Sequence, residues 1–330
     1  MTTVSSLGER ALIDRIAARL VMPSWVAVGP GDDAAVVIPR RGTHDVYTTD
    51  ALVDGVHMDR RFVPPDAIGH RALAVNLSDL AAMGAEPRAA LLSLILPGAT
   101  EVAEVDGIVG GMLALAGEHG VAIVGGNVTS TPGPMVVDVT AIGSVHPRRV
   151  LLRRGARPGD EVYVTGTLGD AAVGLRMLND PHAPNDPAPC VSRYLRPHPR
   201  VRAGVLLSRN RAATSCMDLS DGLADGVRQI AEASGVGITI DAAALPLSDE
   251  ARAWHALNGG TALASALGGG DDYELLFTVR PSHRGRLRGV LKRLAGLSVT
   301  RIGIVTKGGE VLMKHDGATR PLPAGFEHFR

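Results

Sequence analysis

The stretch that most constrains this chain is Ala72-Leu73-Ala74-Val75-Asn76-Leu77-Ser78-Asp79-Leu80-Ala81-Ala82-Met83. Residues Asp66 to Met83 read as a helix that stops at Gly84, with Pro87 just beyond. A helix this apolar is largely buried, so other layers of the protein must cover it. Asn76 and Asp79 lie three apart and share a face. A carboxylate carried into such a setting needs a partner, because an unpaired buried charge is very costly. Lysine is scarce, occurring only at Lys292, Lys307 and Lys314. A cation is therefore the natural partner.

The same scarcity excludes a P-loop, since no lysine closes a G-x-x-x-x-G-K-[ST] pattern. Phosphate handling would fall to backbone N–H groups, arginines or metal ions. With 34 basic and 34 acidic residues the formal net charge is zero, and aromatics are 3%. That disfavours a nucleic-acid partner bound through a basic field or base stacking. Cys190 and Cys216 are too few for a disulfide framework or a cysteine-based zinc site. No signal-peptide core precedes Leu20, and the apolar run Ala89 to Leu96 is too short to span a membrane. The expectation is a soluble, cytoplasmic protein.

Apolar spacing places helices at Glu9 to Leu20 and Glu101 to His119, and strands at Ala34 to Ile38, Asp45 to Thr49, Ala89 to Leu96, Val121 to Val124 and Met135 to Ile142. A Gly/Pro-rich loop is expected between the last two. Val145 to Gly159 is rich in Arg, Gly and Pro and loses apolar periodicity, which sets a domain boundary near residue 148. Beyond it come a strand at Glu161 to Thr165, a helix at Gly169 to Leu178, a Pro-rich surface loop at Asp180 to Pro189, and a helix at Asp221 to Ser234. Strands are expected at Gly237 to Ile240, Tyr273 to Val279, Val299 to Val305 and Val311 to Met313, with a helix near His283 to Ala295. The class is two-domain α/β (α+β), divided as 1–148 and 149–330.

Asp recurs among small residues in Gly31-Asp32-Asp33, Thr48-Thr49-Asp50, Asn76-Leu77-Ser78-Asp79, Asp218-Leu219-Ser220-Asp221-Gly222 and Gly268-Gly269-Gly270-Asp271-Asp272. Singly, each has a plain reading as a turn or, for Ser220 and Asp221, a helix cap. As a set they suit Mg²⁺, which takes hard oxygen ligands and bridges to substrate phosphates. Gathered carboxylates repel one another unless a metal neutralises them.

These residues, and above all the Asn76-to-Gly84 run, resemble the thiamine-monophosphate kinases of the aminoimidazole ribonucleotide synthetase superfamily. The similarity extends to Thr49-Asp50-Ala51-Leu52-Val53-Asp54-Gly55-Val56-His57, Val164-Thr165-Gly166-Thr167-Leu168-Gly169-Asp170, Gly269-Gly270-Asp271-Asp272-Tyr273-Glu274-Leu275 and Gly325-Phe326-Glu327-His328-Phe329. The resemblance implies transfer of the γ-phosphoryl of ATP onto thiamine monophosphate, the last step of thiamine diphosphate biosynthesis. It implies an N-terminal ATP- and Mg²⁺-binding domain that dimerises through its sheet, and a C-terminal α+β domain that completes the site. Implied Mg²⁺ ligands are Asp32, Thr48, Thr49, Asp50, Asp79, Asn127, Asp218 and Asp221. Gly126, Arg153 and Ser220 would contact the nucleotide; His57, Asp271 and Phe326 would hold thiamine monophosphate. No covalent or general-base residue is implied.

The chain departs from the family's pattern at Asn127, where Asp is usual, and at Asp271, where Glu is common. The first removes one negative charge, and weaker binding of one metal is expected. The alternatives are another ATP-dependent enzyme of the superfamily and a nucleotide-binding homologue without turnover.

Overall fold

The computed structural model describes residues 2–180, 188–294 and 296–323. The segment read as a Pro-rich surface loop falls largely outside them, and Phe326 does so entirely. The described residues form two compact units, one within 2–80 and 86–147, the other within 81–85 and 148–323. Among the described residues no helix is long and apolar enough to cross a membrane.

The first unit contains helices α1 (Val4–Leu7), α2 (Glu9–Ala17), α3 (Pro65–Ala82) and α4 (Val102–His119). Its strands are β1 (Val26–Val28), β2 (Val36–Val37), β3 (His44–Val53), β4 (Glu86–Pro97), β5 (Ala122–Thr131) and β6 (Val136–Val145). Four of them form a sheet in the order β3-β6-β4-β5, with only β4 and β5 parallel. Alternation along the strands buries Leu92, Leu94, Val137 and Val139 on one face.

The long helices match the expected spans, and α4 ends at Gly120 in the left-handed conformation (φ 65°), which glycine adopts without penalty. The two helices touch backbone to backbone. A Cβ on Gly69 would stand 1.7 Å from the Ile108 carbonyl oxygen, and one on Gly111 would stand 1.8 Å from that of Asp66. Gly111→Ala is therefore expected to force α3 and α4 apart and cost about 1–3 kcal/mol or more, read as a lowered unfolding midpoint.

Three expectations are corrected. Ala34 to Ile38 shrinks to the two residues of β2, which pairs with β1 and not with the strand that follows. The expected loop after Val124 is strand as far as Thr131, because β4 offers β5 a parallel ladder through Pro97↔Thr131. The strand expected from Tyr273 begins at Leu275, since Tyr273 has φ 50° and cannot join a ladder.

The second unit contains helices α5 (Asp170–Leu178), α6 (Pro189–Leu195), α7 (Val201–Arg209), α8 (Leu223–Ser234), α9 (Asp249–Asn258), α10 (Ala262–Gly268) and α11 (Arg284–Leu291). Its strands are β7 (Glu161–Thr165), β8 (Ser215–Asp218), β9 (Gly237–Asp241), β10 (Leu275–Val279), β11 (Val299–Thr306), β12 (Val311–His315) and β13 (Ala318–Pro321). They form one sheet in the order β13-β12-β9-β11-β7-β10-β8. Its core joins Val162, Val164, Leu276 and Ile302 of the sheet to Leu223, Val227 and Ile230 of α8.

Candidate active site

In the first unit the sheet sorts the candidate ligands onto two faces. Thr48 and Asp50 alternate with Thr49 along β3. Thr48 lies on the helix-covered face, where its hydroxyl donates to the Asp79 carboxylate on α3. Thr49 lies on the opposite face, where its hydroxyl donates to Asp138 Oδ1 at 3.2 Å and accepts from Thr140 at 3.1 Å.

That second face borders a cavity of about 720 Å³. Asp32, Gly126 and Asn127 line it together with Asp138 and Thr140, and Ile13 and Ile16 of α2 give it an apolar wall. The volume is that of an ordinary small-molecule pocket. Gly126 is needed here on packing grounds, since a Cβ would stand 1.8 Å from the Leu92 carbonyl oxygen. Asp138 was not singled out from the sequence; its signal was one charge inside the apolar run Val136-Val137-Asp138-Val139. The register places it opposite Ser93, which in turn faces Asn127.

His57 follows β3. Its Nδ1 accepts the Val53 N–H at 3.2 Å, which places the ring proton of the neutral imidazole on Nε2.

In the second unit β8 and β10 are antiparallel neighbours with Asp218 opposite Leu275, so the loop after β8 and the loop before β10 meet. This brings Asp218, Ser220, Asp221 and Asp271 to one end of the sheet. The Asp271 N–H donates to the Ser220 carbonyl at 2.7 Å, and the Tyr273 N–H to that of Leu219 at 2.9 Å. Capping does not explain Ser220 and Asp221: the N-cap of α8 is Gly222, with no side-chain cap bond, and the Ser220 hydroxyl donates to Asp221 Oδ2 at 2.9 Å. Arg153 stands beside β8, where the Cys216 N–H reaches the Leu152 carbonyl, and its exposed guanidinium donates to Gln229 on α8.

Behind this end of the sheet lies a polar cluster that the sequence did not disclose. Glu274 is fully buried and ion-pairs with Arg193 and Arg200, and the Thr165 hydroxyl donates to it at 2.6 Å. Burial works to raise its carboxyl, but Arg200 and Arg193 hold it below the usual carboxylate range. Neighbouring Asp272 accepts the Gly169 N–H at 2.6 Å and the Ala171 N–H at 3.3 Å, while burial pushes its carboxyl up to about 8.

Both cysteines are buried, and desolvation raises their thiols, so neither has the character of a nucleophile. Among the described residues no three His, Cys, Asp or Glu side chains are grouped closely enough to hold a metal ion.

The two domains match the AIR synthase related protein, N-terminal domain, over residues 31–145, and its C-terminal domain over residues 157–315. That defines the class. Over 98% of its length the chain is 40% identical to thiamine-monophosphate kinase of Escherichia coli K12, and 36% identical to that of Bacillus subtilis, covering 98% and 100% of those proteins. The crystal structure of thiamine-monophosphate kinase from Stenotrophomonas maltophilia superposes with a TM-score of 0.82 at 39% identity, over 93% of this chain and 96% of that one. A structure described as AaThiL complexed with AMPPCP and TMP gives 0.77 at 33% identity, over 100% and 99%. The chain belongs to the thiamine-monophosphate kinase family and is a kinase. A hydrogenase maturation protein HypE structure, at 24% identity and a TM-score of 0.78, shares the fold.

Proposed function

We propose that the protein transfers the γ-phosphoryl of ATP in line onto the phosphate of thiamine monophosphate, giving thiamine diphosphate and ADP with Mg²⁺ as cofactor. This is the closing step of thiamine diphosphate biosynthesis. The observation that carries the reading is the full-length similarity to a relative complexed with AMPPCP and TMP. The meeting of Ser220, Asp221 and Asp271 in one loop pair supports it.

The acceptor is an anionic phosphate of low proton affinity, so charge neutralisation and alignment matter more than a base. The chemistry of the donors suits Mg²⁺, since carboxylate and hydroxyl oxygens dominate them and Thr48 meets Asp79, while no three acidic side chains converge among the described residues. Asp32, Thr48, Thr49, Asp50, Asp79, Asn127, Asp218 and Asp221 are the residues we assign to hold the ions. Bound Mg²⁺ would offset phosphate charge and polarise the transferred group.

Arg153, whose guanidinium donates to Gln229, is assigned to the nucleotide, because its planar fork suits phosphate oxygens. Ser220 offers its hydroxyl, and the Gly126 backbone admits close approach of phosphate. His57, which keeps the Nε2 side of its ring for a ligand, and Asp271 are both assigned to thiamine monophosphate. Phe326, outside the described residues, is assigned to the same substrate. In this reading residues 1–148 form the ATP- and Mg²⁺-binding unit of a cytoplasmic homodimer, joined through the sheet, and residues 149–330 complete the nucleotide and substrate site.

The test follows thiamine diphosphate and ADP by chromatography after incubation with ATP, Mg²⁺ and thiamine monophosphate. Equal formation of both products, abolished by EDTA, is expected. ADP without thiamine diphosphate would mean a different acceptor, as for another enzyme of the superfamily. ATP binding without turnover would mean an inactive homologue, a reading to which Asn127 lends its one point of support.

A further inference from the structure

The loop 269–274 carries two non-glycine residues in the left-handed region, Asp271 at φ 70° and Tyr273 at φ 50°. Each costs roughly 1–2 kcal/mol, and such conformations persist only where the surroundings over-determine them.

Here every residue is held. Gly270 passes so close to the neighbouring loop that a Cβ would stand 2.5 Å from the Ser220 carbonyl oxygen. The N–H groups of Asp271 and Tyr273 bond to Ser220 and Leu219. The Asp272 carboxylate is drawn inward onto the first turn of α5 by the Gly169 and Ala171 N–H groups. Glu274 is locked between Arg193 and Arg200. Asp271 alone keeps a partly exposed carboxylate. The Tyr273 side chain, 9% exposed, reaches back to it, with the hydroxyl donating to Asp271 Oδ1 at 3.2 Å.

We propose that Tyr273 is a positioning residue for the acceptor site: its hydroxyl fixes the carboxylate of Asp271 in the orientation that receives thiamine monophosphate. The proposal rests on the assignment of Asp271 to that substrate. The left-handed backbone at Tyr273 and the bond from its hydroxyl to Asp271 occur together in this one loop. Because the same loop is hydrogen-bonded to Leu219 and Ser220, acceptor and nucleotide contacts are carried on one rigid piece. The strain is then part of how the acceptor is aimed.

The experiment is steady-state kinetics of Tyr273→Phe, Asp271→Asn and the double variant, with both substrates varied. Tyr273→Phe deletes one oxygen and keeps the ring, so an unchanged unfolding midpoint is expected. The KM for thiamine monophosphate should rise about tenfold, on the scale of one hydrogen bond to a charged group. The KM for ATP and kcat should stay within about twofold. In the Asp271→Asn background, Tyr273→Phe should add little, because the two residues act as one unit. An unchanged KM for thiamine monophosphate in Tyr273→Phe, beside a raised one in Asp271→Asn, would overturn the positioning role and leave the site assignment standing. Equal additive losses in both backgrounds would overturn it too. An unchanged KM in Asp271→Asn would overturn the site assignment and the proposal with it.

Discussion

Asp50→Asn and Asp79→Asn are each expected to lower kcat by about 10²–10³-fold or more, while circular dichroism and the unfolding midpoint stay near wild type. The factor is that of removing one preorganised electrostatic element from a transition state. Asp79 sits at the C-terminal end of the apolar helix α3, and its carboxylate accepts from the Thr48 hydroxyl on β3. Asn keeps the volume and one acceptor oxygen but removes the charge. Two highly charged phosphates must approach each other in this reaction, so lost negative charge in the ligand set weakens retention of the cation that screens them. The loss should be partly recovered by raising the Mg²⁺ concentration. Near-wild-type turnover of both variants at low Mg²⁺ would remove Asp50 and Asp79 from the ligand set. Stability should change little, because neither residue is enclosed as Glu274 is.

Glu274→Gln is expected to destabilise the second domain by about 3–5 kcal/mol, the usual cost of breaking a buried ion pair by removing one partner. Arg193 and Arg200 would be left mostly buried without their counter-charge. The Arg200 Nε donates to Glu274 Oε2 at 2.6 Å, and the amide of Gln cannot accept at both positions at once. Acid should act in the same direction. The folded carboxyl is held below its ordinary value, so its contribution is full above the unfolded glutamate pKa of about 4.3 and is lost as pH falls through the folded value. Urea midpoints of wild type and variant should therefore converge as pH drops below that range. A variant within about 1 kcal/mol of wild type at neutral pH would show that the arginines find other partners.

The helices were legible because their signals are local. The Asp66 to Met83 run, the stop at Gly84 and the end of α4 at Gly120 follow from apolar density and from glycine in the left-handed region. Helices α9 and α10 were not assigned from the sequence although Ser248 and Thr261 cap them, because their apolar pattern is short. The continuation of strand β5 beyond Val124 was missed for a different reason. Gly125-Gly126-Asn127 has poor strand propensity, and the ladder offered by β4 decides its conformation.

The site divides in the same way. The sequence by itself determined which side chains carry oxygen for a cation and phosphate, because Asp and Thr among glycines have that chemistry wherever they fold. It determined the family as well, through the unbroken Asn76-to-Gly84 run. Only the tertiary structure decided which of these residues are neighbours. It placed Thr48 with Asp79 and Thr49 with Asp138 on opposite faces of one sheet, and Asp271 against Ser220 across two adjacent strands. It also joined Glu274 to Arg193 and Arg200, residues far apart along the chain. Such pairings depend on strand register and loop closure, which long-range packing sets and no local pattern records.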